Sequence, residues 1–173
     1  MIVIYGYTYG RDSSKIHTTN PFVTEYQYKN RNEFYTSTLL EKISYSNDRP
    51  YIYAYDANGN ITSISTENNG TQTLLVSYEY DALNQLVREN HAERNKTIVY
   101  TYDNGGNITS VKEYAYTTGA VSGTPIAEKT YTYGNTEWKD LLTNYNGTAI
   151  TYDTIGNPLN WTNGKTFTWT AGR

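Results

Sequence analysis

Four nine-residue segments of the chain align without gaps: Tyr53-Ala-Tyr55-Asp56-Ala-Asn58-Gly59-Asn60-Ile61, then the segments beginning at Tyr78 and Tyr100, and one beginning at Ile150. Their aspartates are Asp56, Asp81, Asp103 and Asp153, and a degenerate copy, Tyr131-Thr-Tyr133-Gly134, falls in the long interval before the last. Tandem self-similarity at this period marks a chain built of one supersecondary unit stacked on itself, and the unit decides the fold.

Each unit reads as a β-hairpin. Tyr-x-Tyr is an alternating strand signal from a residue that favours strands. Asp in the first turn place and Gly in the fourth fit a type I turn, with the aspartate side chain accepting backbone N–H groups ahead of it. The fourth residue then takes a left-handed backbone, forming a G1-type bulge as the second strand begins. Gly59, Gly106 and Gly156 stand there in three copies and Asn84 in the other. Asparagine is the next most tolerant residue in that region, so Asn84 is predicted to be a plain substitute for glycine, with Asn84→Gly neutral or mildly stabilising.

The polar stretches Thr66–Thr73, Glu89–Lys96 and Thr117–Thr124 are predicted to be hairpin loops. Near the end, Trp161–Phe167 carries Asn163-Gly164 between alternating residues, the signal of a two-residue turn. Its second strand, 165–169, is predicted to form a sheet edge that carries Phe167 and Trp169 with only Lys165 as protection, and to self-associate there. Helix signals are confined to Thr136–Thr143, which reads as a single helical turn capped by Thr136. Residues 1–50 are less regular. Tyr5-x-Tyr7-x-Tyr9, Tyr26-x-Tyr28 and Thr36–Tyr45 read as strands of diverged hairpins, leaving 51–173 as the regular array.

Only 31 of 173 residues are Leu, Ile, Val or Phe, a fraction at which disorder becomes a question. Twenty Tyr and 3 Trp supply the missing apolar area, and the net charge of −3 is small, so the chain is expected to fold. Charged residues make up 18% of it with no long basic run, which argues against nucleic-acid binding. There is no cysteine, so disulfides, thiolate metal sites and thiol nucleophiles are excluded. Residues 1–5 are too short an apolar run for a signal peptide, and no stretch reaches membrane-spanning length, so membrane insertion is not expected.

Asp56, Asn58, Asn60 and Glu67 fall at places 1, 3, 5 and 12 of a calcium loop. That loop needs glycine at its sixth place, which is Ile61, and the copy led by Asp103 has Tyr114 at its twelfth. Turn chemistry explains the aspartates better. His17 and His91 lie in polar contexts far apart, and both read as solvated loop histidines. No phosphate loop or dinucleotide fingerprint is present. No catalytic, cofactor-binding or metal-binding residue is therefore assigned. Tyr53, Tyr55, Tyr78, Tyr80, Tyr100 and Tyr102 could offer flat platforms to a sugar, but identical spacing in every unit better suits stacking between hairpins. Ile61 and Ile64, like Ile108 and Val111, are three apart, which requires either a bulge or two covered faces.

Tyr-x-Tyr-Asp-x-x-Gly-Asn-Ile at this spacing resembles the YD repeat of the Rhs family, which includes bacterial polymorphic toxins, toxin-complex shell subunits, wall-associated proteins and teneurins. Trp138-Lys-Asp140-Leu-Leu, Tyr145-Asn-Gly147, Tyr152-Asp-x-x-Gly156-Asn157-Pro158 and Phe167-Thr-Trp169-x-x-Gly172-Arg173 strengthen the likeness, which covers Tyr53–Arg173 well and Met1–Pro50 loosely. The resemblance implies an all-β array of tandem hairpins in a curved, twisted antiparallel sheet, a segment of a spiral shell. It further implies a non-catalytic wall of a longer secreted or surface polypeptide that encloses or displays a C-terminal segment. The chain has no Asp-Pro-x-Gly-Leu cleavage motif, and its repeats are too few to close a cage. The alternative expectation is a carbohydrate- or cell-wall-binding module.

Overall fold

The computed structural model describes residues 4–6, 13–17, 23–32, 35–46 and 48–170. Its strands are β1 (Ile4–Gly6), β2 (Ser13–His17), β3 (Val23–Asn32), β4 (Tyr35–Tyr45), β5 (Asp48–Tyr55), β6 (Ile61–Asn68), β7 (Thr71–Tyr80), β8 (Leu86–His91), β9 (Lys96–Tyr102), β10 (Ile108–Ala115), β11 (Ala127–Thr132), β12 (Asn144–Tyr145) and β13 (Thr148–Ala149). The chain divides into two units, Met1–Asn95 and Lys96–Arg173. In the first, each strand from β1 to β8 pairs antiparallel with the next in sequence. In the second, β9 to β13 do the same. The fold is all-β, and it is made of consecutive hairpins.

The bulge question has a definite answer. In the β5–β6 hairpin Ala54 faces Ser63 but Tyr55 faces Ile61, so Thr62 is an extra residue. Ile61 thus opposes Tyr55 while Ile64 opposes Tyr53, and both isoleucines lie on the face of the tyrosines. Val87 and Thr109 are extra in the same way in β8 and β10. Each of these three repeats therefore carries a second bulge beyond the one at its turn.

One face of β5–β8 presents the row Tyr53, Ile64, Val76, His91, and the other presents Ala54, Ser63, Ser77, Asn90. The core is thin. Val76 and Ile150 are the buried hydrophobic residues among those described, while Ser65, Thr66, Asn90, Thr97 and Ser110 are buried polar ones. Small polar side chains suffice because neighbouring strands satisfy them, as when Asn90 Nδ2 donates to Ser77 Oγ at 3.2 Å. Thr97, fully buried, accepts the Thr117 N–H at 3.0 Å and pins the loop that follows β10.

Four expectations need correction. Thr66–Thr73 and Glu89–Lys96 are not loops but strand ends joined by tight turns, because Asn69-Gly70 is itself a two-residue turn with both φ positive, at 49° and 79°. Thr117–Thr124 does lie in an irregular connection. Thr136–Thr143 forms bends and a turn rather than a helical turn, and Asn135, not Thr136, caps it, its Oδ1 accepting the N–H groups of Glu137 and Trp138 at 2.9 Å. The Asn163-Gly164 turn forms, with φ of 61° and 71°, but residues 165–169 make no continuous strand. They hold one bridge, Asn160 to Thr166, flanked by Trp161 N–H to Lys165 O at 2.8 Å and Phe167 N–H to Leu159 O at 2.9 Å. Finally, His91 ends β8 rather than lying in a solvated loop. In the first fifty residues, Tyr26 and Tyr28 lie in β3 and 36–45 in β4 as expected, whereas Tyr7 and Tyr9 fall outside the described residues.

Candidate functional site

The motif residues converge on the turns. In the first copy Asp56 Oδ1 accepts the N–H groups of Asn58 and Asn60, both at 2.9 Å, and Asp56 Oδ2 accepts Asn60 Nδ2 at 2.9 Å. The backbone closes by Gly59 N–H to Asp56 O and Asp56 N–H to Asn60 O. The same pattern recurs at Asp103 with Gly105 and Asn107, and at Asp153 with Ile155 and Asn157. At Asp81 the two backbone donors are Leu83 and Gln85. The fourth-place φ values are 90° at Gly59, 62° at Asn84, 86° at Gly106 and 89° at Gly156. Turn type, side-chain bonding and left-handed residue all match the sequence reading.

At Asp56, Asp103 and Asp153 both carboxylate oxygens accept hydrogen bonds, which shows in their acidity. The Asn60 side-chain amide holds the Asp56 carboxyl below its usual range, the Asn107 amide does so for Asp103, and the Asn157 backbone N–H leads at Asp153. Glu67, the twelfth place of the calcium-like spacing, instead lies in β6 with Lys42 Nζ at 3.4 Å.

In three copies the second tyrosine of the motif ties its hairpin to the preceding segment. Tyr55 Oη donates to Leu40 O at 2.7 Å, Tyr80 Oη to Ile61 O at 2.9 Å and Tyr152 Oη to Leu142 O at 2.7 Å. The turns are also linked directly, since Asn84 Oδ1 accepts both Asn58 Nδ2 and Asn60 Nδ2 at 2.8 Å. In the second unit Asn107 Nδ2 donates to Asp140 Oδ1 at 3.3 Å. Tyr131 lies 5.1 Å from Tyr145, which stacks on Trp161 at 5.3 Å. Burial pushes the phenols of Tyr53, Tyr55, Tyr78, Tyr80, Tyr131, Tyr133 and Tyr152 up.

A sequence of this kind is assembled by its own repeated turn, and the family comparison agrees. The RHS repeat model matches residues 55–96, which span the β5–β6 turn through the whole of the β7–β8 hairpin. No curated protein matches the chain. Among solved structures, it resembles the pore form of a Photorhabdus luminescens Tc holotoxin with a mutated TccC3 component, at a TM-score of 0.55 and 19% identity. That match covers 83% of this chain and 9% of the other, so the chain spans a small fraction of the protein it resembles. The crystal structure of a TcdB2–TccC3–Cdc42 complex also matches, at a TM-score of 0.34 and 17% identity over 77% of this chain and 8% of that one.

The tyrosine face of β5–β8 holds one polar pair that the sequence did not reveal. Opposite the first tyrosine of the motif stand Ile64 and Val111 in two copies, but Glu89 faces Tyr78 in the other. Glu89 Oε1 lies 2.5 Å from His91 Nε2, with the two side chains 14% and 20% exposed. Two strand residues with one between them share a face, so the spacing could have suggested the pair had β8 been recognised through His91. His17 lies in β2, its side chain outside what the structure describes.

Proposed function

We propose that the chain is a non-catalytic wall segment of a larger secreted or surface Rhs-type polypeptide, where hairpins side by side enclose or display a C-terminal segment. The observation that carries this reading is the spending of the motif's polar groups on the wall itself. The Asp carboxylates, the second tyrosines and the turn asparagines bond to their own or a neighbouring hairpin. A motif repeated for chemistry would leave such groups free to meet a substrate. The reading assigns no catalytic, cofactor or metal residue, and its partner is the remainder of the polypeptide. Neither nucleic acid nor insertion into a membrane belongs to it, and among the described residues no helix is long and apolar enough to cross one.

Limited proteolysis of the full-length polypeptide tests the proposal. The C-terminal segment should resist digestion until the RHS wall unfolds, and digestion at the rate of the isolated segment would overturn it. A second reading, a carbohydrate- or cell-wall-binding module, is favoured by exposed rings. Tyr45 and Tyr51 meet edge-on at 6.4 Å and are 41% and 39% exposed, and Trp138 is 51% exposed. A selective glycan-array signal lost in Tyr51→Ala and Trp138→Ala would favour that module over the wall.

A further inference from the structure

The sequence contains five Asn-Gly steps, at Asn58, Asn69, Asn104, Asn146 and Asn163. In each the following glycine offers its backbone nitrogen to the asparagine side chain without the hindrance of a Cβ. Attack of that nitrogen on Cγ forms a C–N bond and expels ammonia, and water then opens the resulting succinimide to aspartate or isoaspartate. The nitrogen must be free to turn towards Cγ, and the side-chain amide must be free to meet it.

The fold holds three of the five. Gly59 N–H donates to Asp56 O at 3.2 Å while Asn58 Nδ2 is bound to Asn84. Gly105 N–H donates to Asp103 Oδ1 at 2.8 Å. Gly147 N–H donates to Asn144 Oδ1 at 2.8 Å, and Asn146 Oδ1 accepts the Thr130 N–H at 2.7 Å. At Asn163-Gly164 the printed turn bond is Lys165 N–H to Thr162 O at 3.5 Å, and the exposed Gly164 amide has no hydrogen-bond partner among the described residues. Asn69-Gly70 is open as well. It forms the tip of the β6–β7 hairpin, where Asn68 and Thr71 close the turn and the two central residues point outward. Both are exposed, a Cβ built on Gly70 would meet nothing within 4 Å, and no hydrogen bond holds either one among the described residues.

We infer that Asn69 and Asn163, at the two open steps, are the sites of spontaneous deamidation in the folded chain, with water as the only co-reactant. Aspartate at Asn69 adds a negative charge to the hairpin tip. Isoaspartate also draws the side-chain carbon into the backbone and lengthens a turn whose two-residue span fixes Asn68 opposite Thr71.

The test is to incubate the native chain at mildly alkaline pH and follow all five peptides by mass spectrometry, with isoaspartate detected by methyltransferase labelling. The Asn69 and Asn163 peptides should convert at least about tenfold faster than the other three, the scale set by breaking one retained hydrogen bond on the way to the transition state. Asn69→Gly paired with Asn163→Gly keeps turn-compatible residues and should abolish most of the acidic species seen by ion exchange. In guanidinium chloride the five peptides should converge in rate. Equal or faster conversion at any of the three held steps in the folded chain, persistence of the acidic species in the paired variant, or a ranking unchanged by denaturant would each overturn the assignment.

Discussion

Trp138 rests its six-membered ring on the bare backbone of Gly156: a Cβ built on that glycine would lie 2.4 Å from Cζ3 and 2.6 Å from Cη2 of the indole. Gly156 has φ of 89° and closes the Asp153 turn, so two requirements fall on one residue. Gly59 has nearly the same φ, yet its built Cβ meets nothing closer than Leu39 Cδ2 at 3.9 Å. Gly59→Ala should therefore cost only the left-handed strain, about 1–3 kcal/mol. Gly156→Ala should cost roughly 1 kcal/mol more, because the half-exposed ring must leave its seat. Urea denaturation measures both. Pairing Gly156→Ala with Trp138→Ala should recover the excess, and equal losses at the two glycines would refute the stacking argument.

Acid should weaken the array in a defined direction. Asp56, Asp103 and Asp153 are held below the ordinary carboxylate range, led by the amides of Asn60 and Asn107 and by the Asn157 N–H. A carboxyl depressed in the folded state contributes stability that is present above its unfolded pKa and lost as pH falls through the folded one. Tm measured from neutral pH downward should fall through and below the usual carboxylate window. Asp103→Asn, which cannot accept the Asn107 amide on its own Nδ2, should lower the neutral Tm and flatten the acid slope. A slope identical to the parent's would show that Asp103 contributes nothing to it.

The two tyrosines of the motif should respond differently to loss of the hydroxyl. Tyr80 Oη donates to Ile61 O, so Tyr80→Phe leaves that carbonyl without the bond and should cost about 0.5–1.5 kcal/mol. Tyr53 lies on the same face of β5 as Tyr55 with its ring half-buried, and its contribution is the ring itself. Tyr53→Phe should be close to neutral. Thermal denaturation of the pair decides it, and equal losses would mean that the hydroxyls do not distinguish the two places.

What could be read in the sequence was what each repeat does within itself. Asp56, Gly59 and Asn60 act over four residues, so their types alone dictate a turn that the structure reproduces bond for bond. What could not be read acts between repeats. Thr62 is a bulge because of what β5 opposes to it, and neither the spacing nor the type of Thr62 announces that. Trp138 finds Gly156 across an irregular stretch, and Glu89 meets His91 on a strand whose polar composition resembles a loop. The same bias misplaced the ends of β6 and β7, since Asn, Glu and Thr line a hairpin arm that is wet on one side.

Asn84 tests the distinction between local and inter-repeat roles most directly. Taken as a turn residue with φ of 62°, it stands where three other copies have glycine, and relief of a left-handed side chain would make Asn84→Gly neutral or better. The structure reverses that expectation, because Asn84 Oδ1 is the common acceptor of Asn58 Nδ2 and Asn60 Nδ2 and so joins the second turn to the first. Asn84→Gly should destabilise by about 0.5–1.5 kcal/mol, a neutral exposed hydrogen-bond pair set against a few tenths of relieved strain. Asn58→Ala removes one donor while keeping the backbone N–H that Asp56 needs. In a double-mutant cycle the two substitutions should couple, since the second removes a bond that the first has already broken. Additive losses would place Asn84 back among the plain turn residues, and a stabilised Asn84→Gly would show that the link between turns is not formed in solution.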